Sequence, residues 1–375
     1  MAEVGNVRHG QTFPAFCVRR SNAQATCPPL RTLVTLLLYL RTTAAFNPFR
    51  AGMCSVPRNS SLNGRAYHRH NPGLSSPMMN ISDEAQEDLY EISPILPHFG
   101  AEIRGFSLAG REPLPPETVQ RIKDDMNRYR VLVFKGQGQI SGERQVQISR
   151  QLGEVESTFY KHPMSPHPDI FRVSNDGEEG CTNVGRTGWH IDGTFQAKPF
   201  KYQTMHFHSV CEGGETWFIP LKEFYEMQDE QTRARWDSYW MITGRAQYAH
   251  PMVYTHPTRG DTTMMFHCGE PFCSGWAVYG DEDPRESQPL GVLPPDVVQE
   301  ELAERLHEAI GKIGVMMKWE AGDFAINDNL GNCHYAAPGT QSPRRHAGLR
   351  ILHRTTIAGE AVPAKGDGRE SFLVH

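Results

Sequence analysis

Apolar residues recur at helical spacing over residues 115–130 (PPETVQRIKDDMNRYR), where Val119, Ile122, Met126 and Tyr129 share one face behind a Pro-Pro start. The unbroken apolar run at 131–134 (VLVF) predicts a buried strand, and 141–152 predicts a second short helix with Val146, Ile148 and Leu152 inward. Helical patterning returns only at roughly 221–236 and 295–310. Elsewhere short runs are punctuated by Gly, Pro and Asn, predicting strands at 201–210, 215–219, 262–267, 314–319, 323–327 and 350–357. That spacing predicts a mainly β barrel or sandwich with flanking helices. The strand-helix alternation of a doubly wound sheet is missing, and no GxGxxG or GxxxxGK[ST] loop occurs, which sets aside nucleotide enzymes of those classes.

Composition changes this picture only near the N-terminus. The 375 residues carry 38 Lys plus Arg against 43 Asp plus Glu, a formal charge of −5, which argues against a strongly basic footprint, so no nucleic-acid partner is expected. After Glu3, however, no acid appears until Asp83, and that stretch holds nine arginines and no lysine. Removing those nine arginines and Glu3 from the totals leaves 29 basic against 42 acidic residues, about −13 for the remainder. Residues 33–40 (LVTLLLYL) form an apolar run too short to span a bilayer, followed by small residues to Ala45 and then Phe46. Residues 1–46 therefore read as a signal-peptide-like leader and 47–82, rich in Arg, Ser, Asn and Pro, as a transit-peptide-like segment. The pair resembles the bipartite leaders of algae with secondary plastids, which implies a plastid address. A cytoplasmic protein with an over-extended start is the alternative. The expected body is one domain over 83–375, without a transmembrane segment. Its five cysteines, an odd number without a CxxC pair, indicate no disulfide framework. Oligomeric state stays open.

The densest chemistry lies at 189–195, WHIDGTF. His190 and Asp192 are two apart and so project from the same side of an extended strand. With one more imidazole they would make a two-His, one-carboxylate facial site, the geometry of non-haem Fe(II). His334, in NDNLGNCHYA (327–336), follows a strand-like segment and is chosen for that place. With 17 histidines in the chain, an isolated HxD is weak evidence. His206 and His208 share a strand face without a carboxylate and read as packed residues, and His250, His256 and His267 read as structural. In RILHRTTI (350–357), Arg350, Leu352 and Arg354 share one face, with the two arginine α-carbons roughly 13 Å apart. Two inward guanidinium groups beside a metal call for anionic ligands, although a solvated basic edge strand would give the same pattern.

WHIDGTF, GGETWF, the late histidine of DNLGNCHYA and the RILHR strand, together with ILPHFGAEIRGFSL and VLVFKGQ, resemble the taurine dioxygenase (TauD/TfdA) family of Fe(II)/2-oxoglutarate dioxygenases over about residues 92–357. The resemblance implies a double-stranded β-helix (jelly-roll) barrel. It implies that His190, Asp192 and His334 hold the iron, and that Arg350 pairs with the distal carboxylate of 2-oxoglutarate while Thr216 of GGET donates a hydroxyl to it. It also implies O2 as cosubstrate, ascorbate as a supporting reductant, and succinate and CO2 as co-products. Related halogenases lack the carboxylate that Asp192 supplies, so hydroxylation, or hydroxylation leading on to desaturation, is the implied outcome. Arg354 and His162 match positions that hold the substrate's acidic group, which implies an anionic substrate, unless a protein carboxylate balances Arg354 and His162 merely packs. Residues 268–293 and 335–349 depart from the family pattern and are expected near the substrate mouth, which leaves room for a substrate larger than a small sulfonate. A plastid address would suit a porphyrin pigment, as in chlorophyll c synthases that oxidise a propionate to an acrylate. Sulfonates or aryloxyalkanoates are the rival substrates. A non-catalytic jelly roll that binds 2-oxoglutarate is the rival outside enzymes, and a zinc hydrolase is weaker, lacking a general base beside the metal.

Overall fold

A computed structural model describes residues 89–156, 158, 160–185, 188–244 and 248–374. The leader expected over 1–82 lies outside these residues, which fall within one compact unit spanning Ser76–His375. The main sheet has eight strands. Seven run side by side in the order Glu91–Leu96, Phe99–Arg104, Val131–Phe134, Phe324–Asp328, Tyr202–Ser209, Ile351–Ile357 and Val155–Glu156, and Phe171–Ser174 also pairs with Ile351–Ile357. A smaller sheet places Thr216–Pro220 between Val315–Met317 and Asn332–Ala336. The two sheets face one another as a jelly roll. Phe171, Met205, Phe207, Ala325 and Leu352 of the first pack with Phe218 and Met317 of the second, and Trp319 stacks on Phe207 at 4.0 Å. A third sheet, centred on Cys273–Val278 and Tyr239–Thr243, extends the structure to one side.

The first helix, Pro116–Tyr129, begins behind Pro115 and buries Ile122, Met126 and Tyr129, with Val119 half-buried at its edge. The second, Gly142–Leu152, is capped by Ser141, whose side chain accepts from the Arg144 amide. The helix expected over 221–236 is two, Leu221–Glu226 and Glu230–Asp237. Asp229 between them caps the second by accepting from the Thr232 amide at 2.8 Å, so the chain restarts there instead of running through. The long helix, Pro295–Ile313, presents Val298, Leu302, Leu306 and Ala309 to a core that includes the fully buried Trp189, Trp236 and Trp276. The strand expected over 262–267 ends at Met264. Among the described residues, no helix is long and apolar enough to cross a membrane, and the five cysteines are free thiols.

Candidate active site

A cavity of about 230 Å³ opens between the two facing sheets. His190, Asp192 and His334 line it, and one ligand atom from each lies within 4.8 Å of the others. The geometry that brings them together differs from simple strand alternation. His190 sits in isolated antiparallel bridges with His334 and His267, exchanging main-chain hydrogen bonds with His334 at 3.0 and 3.1 Å. The chain then turns at Asp192. Gly193 has φ +80°, and a β-carbon there would meet Phe200 at 2.8 Å, so the WHIDG sequence needs glycine directly after the carboxylate. His334 belongs to the strand Asn332–Ala336.

The hydrogen bonds around the triad suit metal coordination. His190 Nδ1 lies 2.7 Å from the Gly188 carbonyl, which holds the proton on Nδ1 and leaves Nε2 as the free lone pair. Burial, then the neighbouring His334 ring, pushes the His190 imidazole down to about 4, so it is neutral and ready to ligate. His334 Nδ1 is buried without a hydrogen-bond partner among the described residues, while its Nε2 lies 3.3 Å from Asp192 Oδ2. Burial alone would raise the Asp192 carboxyl, but the Arg354 guanidinium, with His334 and His190, outweighs it and holds the group well below the usual carboxylate range. Two imidazoles and an ionised carboxylate meeting at one point are a donor set that fits a divalent iron.

Two features of the site, Gln203 and Asn329, had no counterpart in the sequence, and a third, His267, departs from expectation. Gln203 Nε2 donates to Asp192 Oδ2 at 2.6 Å and itself accepts from buried Asn327, which in turn accepts from Asn332. Asn329 grips the Asp192 backbone from both sides: its Oδ1 accepts from the Asp192 amide at 2.9 Å, and its Nδ2 donates to the Asp192 carbonyl at 2.9 Å and to the Phe200 carbonyl at 2.7 Å. The crowding of asparagines in NDNLGN was the available signal. His267, expected to be purely structural, lines the cavity and stacks on His190 with ring centroids 4.9 Å apart.

Arg350, Leu352 and Arg354 all line the cavity, as their shared strand face predicts. Their partners differ. Arg354 pairs with Asp192 Oδ2 at 2.8 Å. Arg350 is buried, and among the described residues no carboxylate lies within ion-pair distance of it; its Nε has no hydrogen-bond partner and burial lowers its guanidinium to about 10. Thr216 lines the same cavity, its hydroxyl accepting from Trp319 Nε1 at 3.0 Å. Phe272, from the 268–293 segment, and Ala336, from 335–349, are also at the wall. His162 is not among the cavity-lining residues: its Nε2 lies 3.2 Å from the Gly177 carbonyl and its Nδ1 accepts from the Met164 amide.

The sequence profile of the taurine catabolism dioxygenase TauD, TfdA family matches residues 91–356. The chain belongs to that family. A sulfate ester dioxygenase of Pseudomonas putida, named as α-ketoglutarate-dependent, is 28% identical over 75% of this chain and 93% of its own length. An α-ketoglutarate-dependent 2,4-dichlorophenoxyacetate dioxygenase of Cupriavidus pinatubonensis is 26% identical over 72% of this chain and 98% of its own. A crystal structure of a taurine dioxygenase from Burkholderia xenovorans aligns with a TM-score of 0.59 at 27% identity, covering 76% of this chain and 97% of that one. As a TauD/TfdA protein the chain is a dioxygenase that uses Fe(II), 2-oxoglutarate and O2.

Proposed function

We propose that the enzyme hydroxylates an unactivated C–H bond of a small anionic organic substrate, of the sulfate-ester or aryloxyalkanoate class. His190, Asp192 and His334 hold the iron in this reading, and Arg350 with Thr216 holds the distal carboxylate of 2-oxoglutarate. Bound Fe(II) supplies the centre at which O2 is reduced as 2-oxoglutarate loses CO2 and becomes succinate. The observation that carries the reading is Arg350, a buried guanidinium facing the cavity with no carboxylate partner among the described residues. Such a cation is costly unless an anion arrives, and a carboxylate meets its planar fork bidentately. Asp192 does not fully neutralise both Arg354 and a divalent metal. With the metal seated, Arg354 therefore keeps positive charge, which an acidic substrate group satisfies. The relatives named for sulfate esters and phenoxyacetates support that substrate class.

Phe171, Met205, Phe272 and Leu352 give the cavity an apolar wall for the substrate's carbon skeleton. Its volume of about 230 Å³, shared with the cosubstrate, takes a carboxylate arm but not a tetrapyrrole ring. A porphyrin propionate would therefore have to enter with its macrocycle outside. The test is succinate release by the full chain with Fe(II), ascorbate and 2-oxoglutarate, offered an alkyl sulfate, a phenoxyacetate or a protochlorophyllide-type pigment. Stimulation by a small anion and not by its neutral analogue supports the proposal. Stimulation by the neutral analogue alone would overturn it, and stimulation by the pigment alone would move the substrate to the porphyrin class. The plastid address remains part of this proposal: residues 1–82 fused to a fluorescent protein should enter the plastid of an algal host, and cytosolic fluorescence would remove it.

A further inference from the structure

The strand Tyr202–Ser209 shows the cavity Gln203 and Met205. By the two-residue period, His206 and His208 therefore point to the opposite face of the sheet. On the neighbouring strand Ile351–Ile357, Leu352 and Arg354 line the cavity, and His353 between them faces the same way as the two histidines; it pairs across the ladder with His206. The result is a cluster of three mutually tilted imidazoles, with ring centroids 4.2 Å apart for His206 and His208 and 3.9 Å apart for His208 and His353. One nitrogen from each ring lies within 4.8 Å of the others. His206 and His353 are buried and His208 is half-buried.

Each ring has one nitrogen engaged and one orphaned. His206 Nε2 donates to the Gly138 carbonyl at 2.9 Å, and His208 Nδ1 is hydrogen-bonded to the Gln139 side chain. Among the described residues, the buried His206 Nδ1, His208 Nε2 and His353 Nδ1 have no hydrogen-bond partner. Buried polar atoms are nearly always paired, so three orphans in one cluster call for a shared partner. An imidazole that gives its far N–H to an oxygen is already set as a metal ligand, as His206 and His208 are. Burial keeps all three rings uncharged, with His208 down at about 4 and His353 at about 2, the neighbouring rings adding to the effect.

We propose that His206, His208 and His353 form a second metal site, separate from the active centre, for an imidazole-preferring divalent ion such as Zn²⁺, Co²⁺, Ni²⁺ or Cu²⁺. Neutral nitrogen donors without a carboxylate select these ions over Mg²⁺ or Ca²⁺. His353 makes one adjustment. Arg172 donates to its Nε2 at 2.7 Å, which places the ring proton on Nδ1. Ligation through Nδ1 moves that proton to Nε2 and breaks the Arg172 contact, while Glu179 keeps the guanidinium through its carboxylate at 3.1 Å and its main-chain carbonyl. Occupancy would clamp together the two strands that carry Gln203 and Arg354 to the cavity.

Equilibrium dialysis of the full chain against Co²⁺ tests this, with visible absorption reporting ligand geometry. Wild type is expected to bind two ions per chain, and both Asp192→Ala and His208→Ala one each, with different spectra. The wild-type count and the half-buried His208 variant, checked for native circular dichroism, decide the matter even if Asp192→Ala folds poorly. A single ion in the wild type, as expected if a buried water satisfies the three nitrogens, would overturn the proposal. So would a second ion that persists in His208→Ala.

Discussion

Asn329→Ala would show how far the active centre depends on a residue that touches no ligand. Asn329 is fully buried and makes three hydrogen bonds, two to the Asp192 backbone and one to Phe200. Truncation leaves one amide N–H and two carbonyls buried without partners. Each such orphan costs about 1–3 kcal/mol, and because the methyl leaves room for water the low end applies, giving about 3 kcal/mol in all. That is a large share of the roughly 5–15 kcal/mol by which domains are stable. It also frees Asp192 to rotate, and loss of such an orienting partner weakens metal sites by about 10–100-fold. Urea unfolding should show a lower midpoint at unchanged slope, and Fe(II) titration under nitrogen a correspondingly higher dissociation constant. A stability loss below about 1 kcal/mol would refute the hydrogen-bond argument. Normal metal affinity in a destabilised variant would refute the claim that Asn329 positions Asp192.

Arg350→Ala should raise the 2-oxoglutarate dissociation constant at least ~30-fold, because truncating one partner of a buried charge pair costs about 2–5 kcal/mol; anaerobic titration with Fe(II) present checks it, and a change under about five-fold would contradict the assignment. Thr216→Val leaves the Trp319 indole N–H without its acceptor and should cost about 1–2 kcal/mol of stability by urea midpoint, with weaker 2-oxoglutarate binding. Arg130 is buried and forks onto Glu223 at 2.6 and 2.9 Å. Burial alone would raise the Glu223 carboxyl, but Arg130 outweighs it and holds it below 4.5, its ordinary value. A folded value below the unfolded one means stability that is present above the unfolded value and lost as pH falls through the folded one. Glu223→Gln should therefore flatten the loss of stability on acidification, and urea midpoints at neutral and acidic pH that fall in parallel for both proteins would show that the pair is not responsible.

Much of this architecture is legible from residue patterns because burial enforces them. The alternation in 350–357 placed Arg350, Leu352 and Arg354 on one face, and the sheet keeps that face inward over the cavity. The helical face of residues 115–130 is likewise visible, because its apolar stripe has one core to cover. What escaped the patterns was long-range polar pairing. Nothing local in KYQTMHFH says that Gln203 reaches Asp192, or that His206 meets a histidine 147 positions later, since those contacts exist only once the strands Tyr202–Ser209 and Ile351–Ile357 pair. His190 and Asp192 were grouped on the premise of an extended strand. They do meet, but through a bridge and a glycine turn, so spacing two apart was compatible with the site without being its cause.

The two arginines of RILHR part company once the strands assemble. Read from RILHR, Arg350 and Arg354 share one face, and each demands an anion that either a ligand or a protein carboxylate could supply. In the fold, Arg354 meets Asp192 and its charge is offset within the protein. Arg350 meets none among the described residues, and its lowered guanidinium value records the cost of that burial. A chain retains an unneutralised buried cation only where a ligand completes it, because replacing such a group with an apolar one would otherwise stabilise the fold. The asymmetry therefore separates the two arginines: Arg350, directly before the strand Ile351–Ile357, meets no carboxylate among the described residues, whereas Arg354 within it is tied to the Asp192 carboxylate.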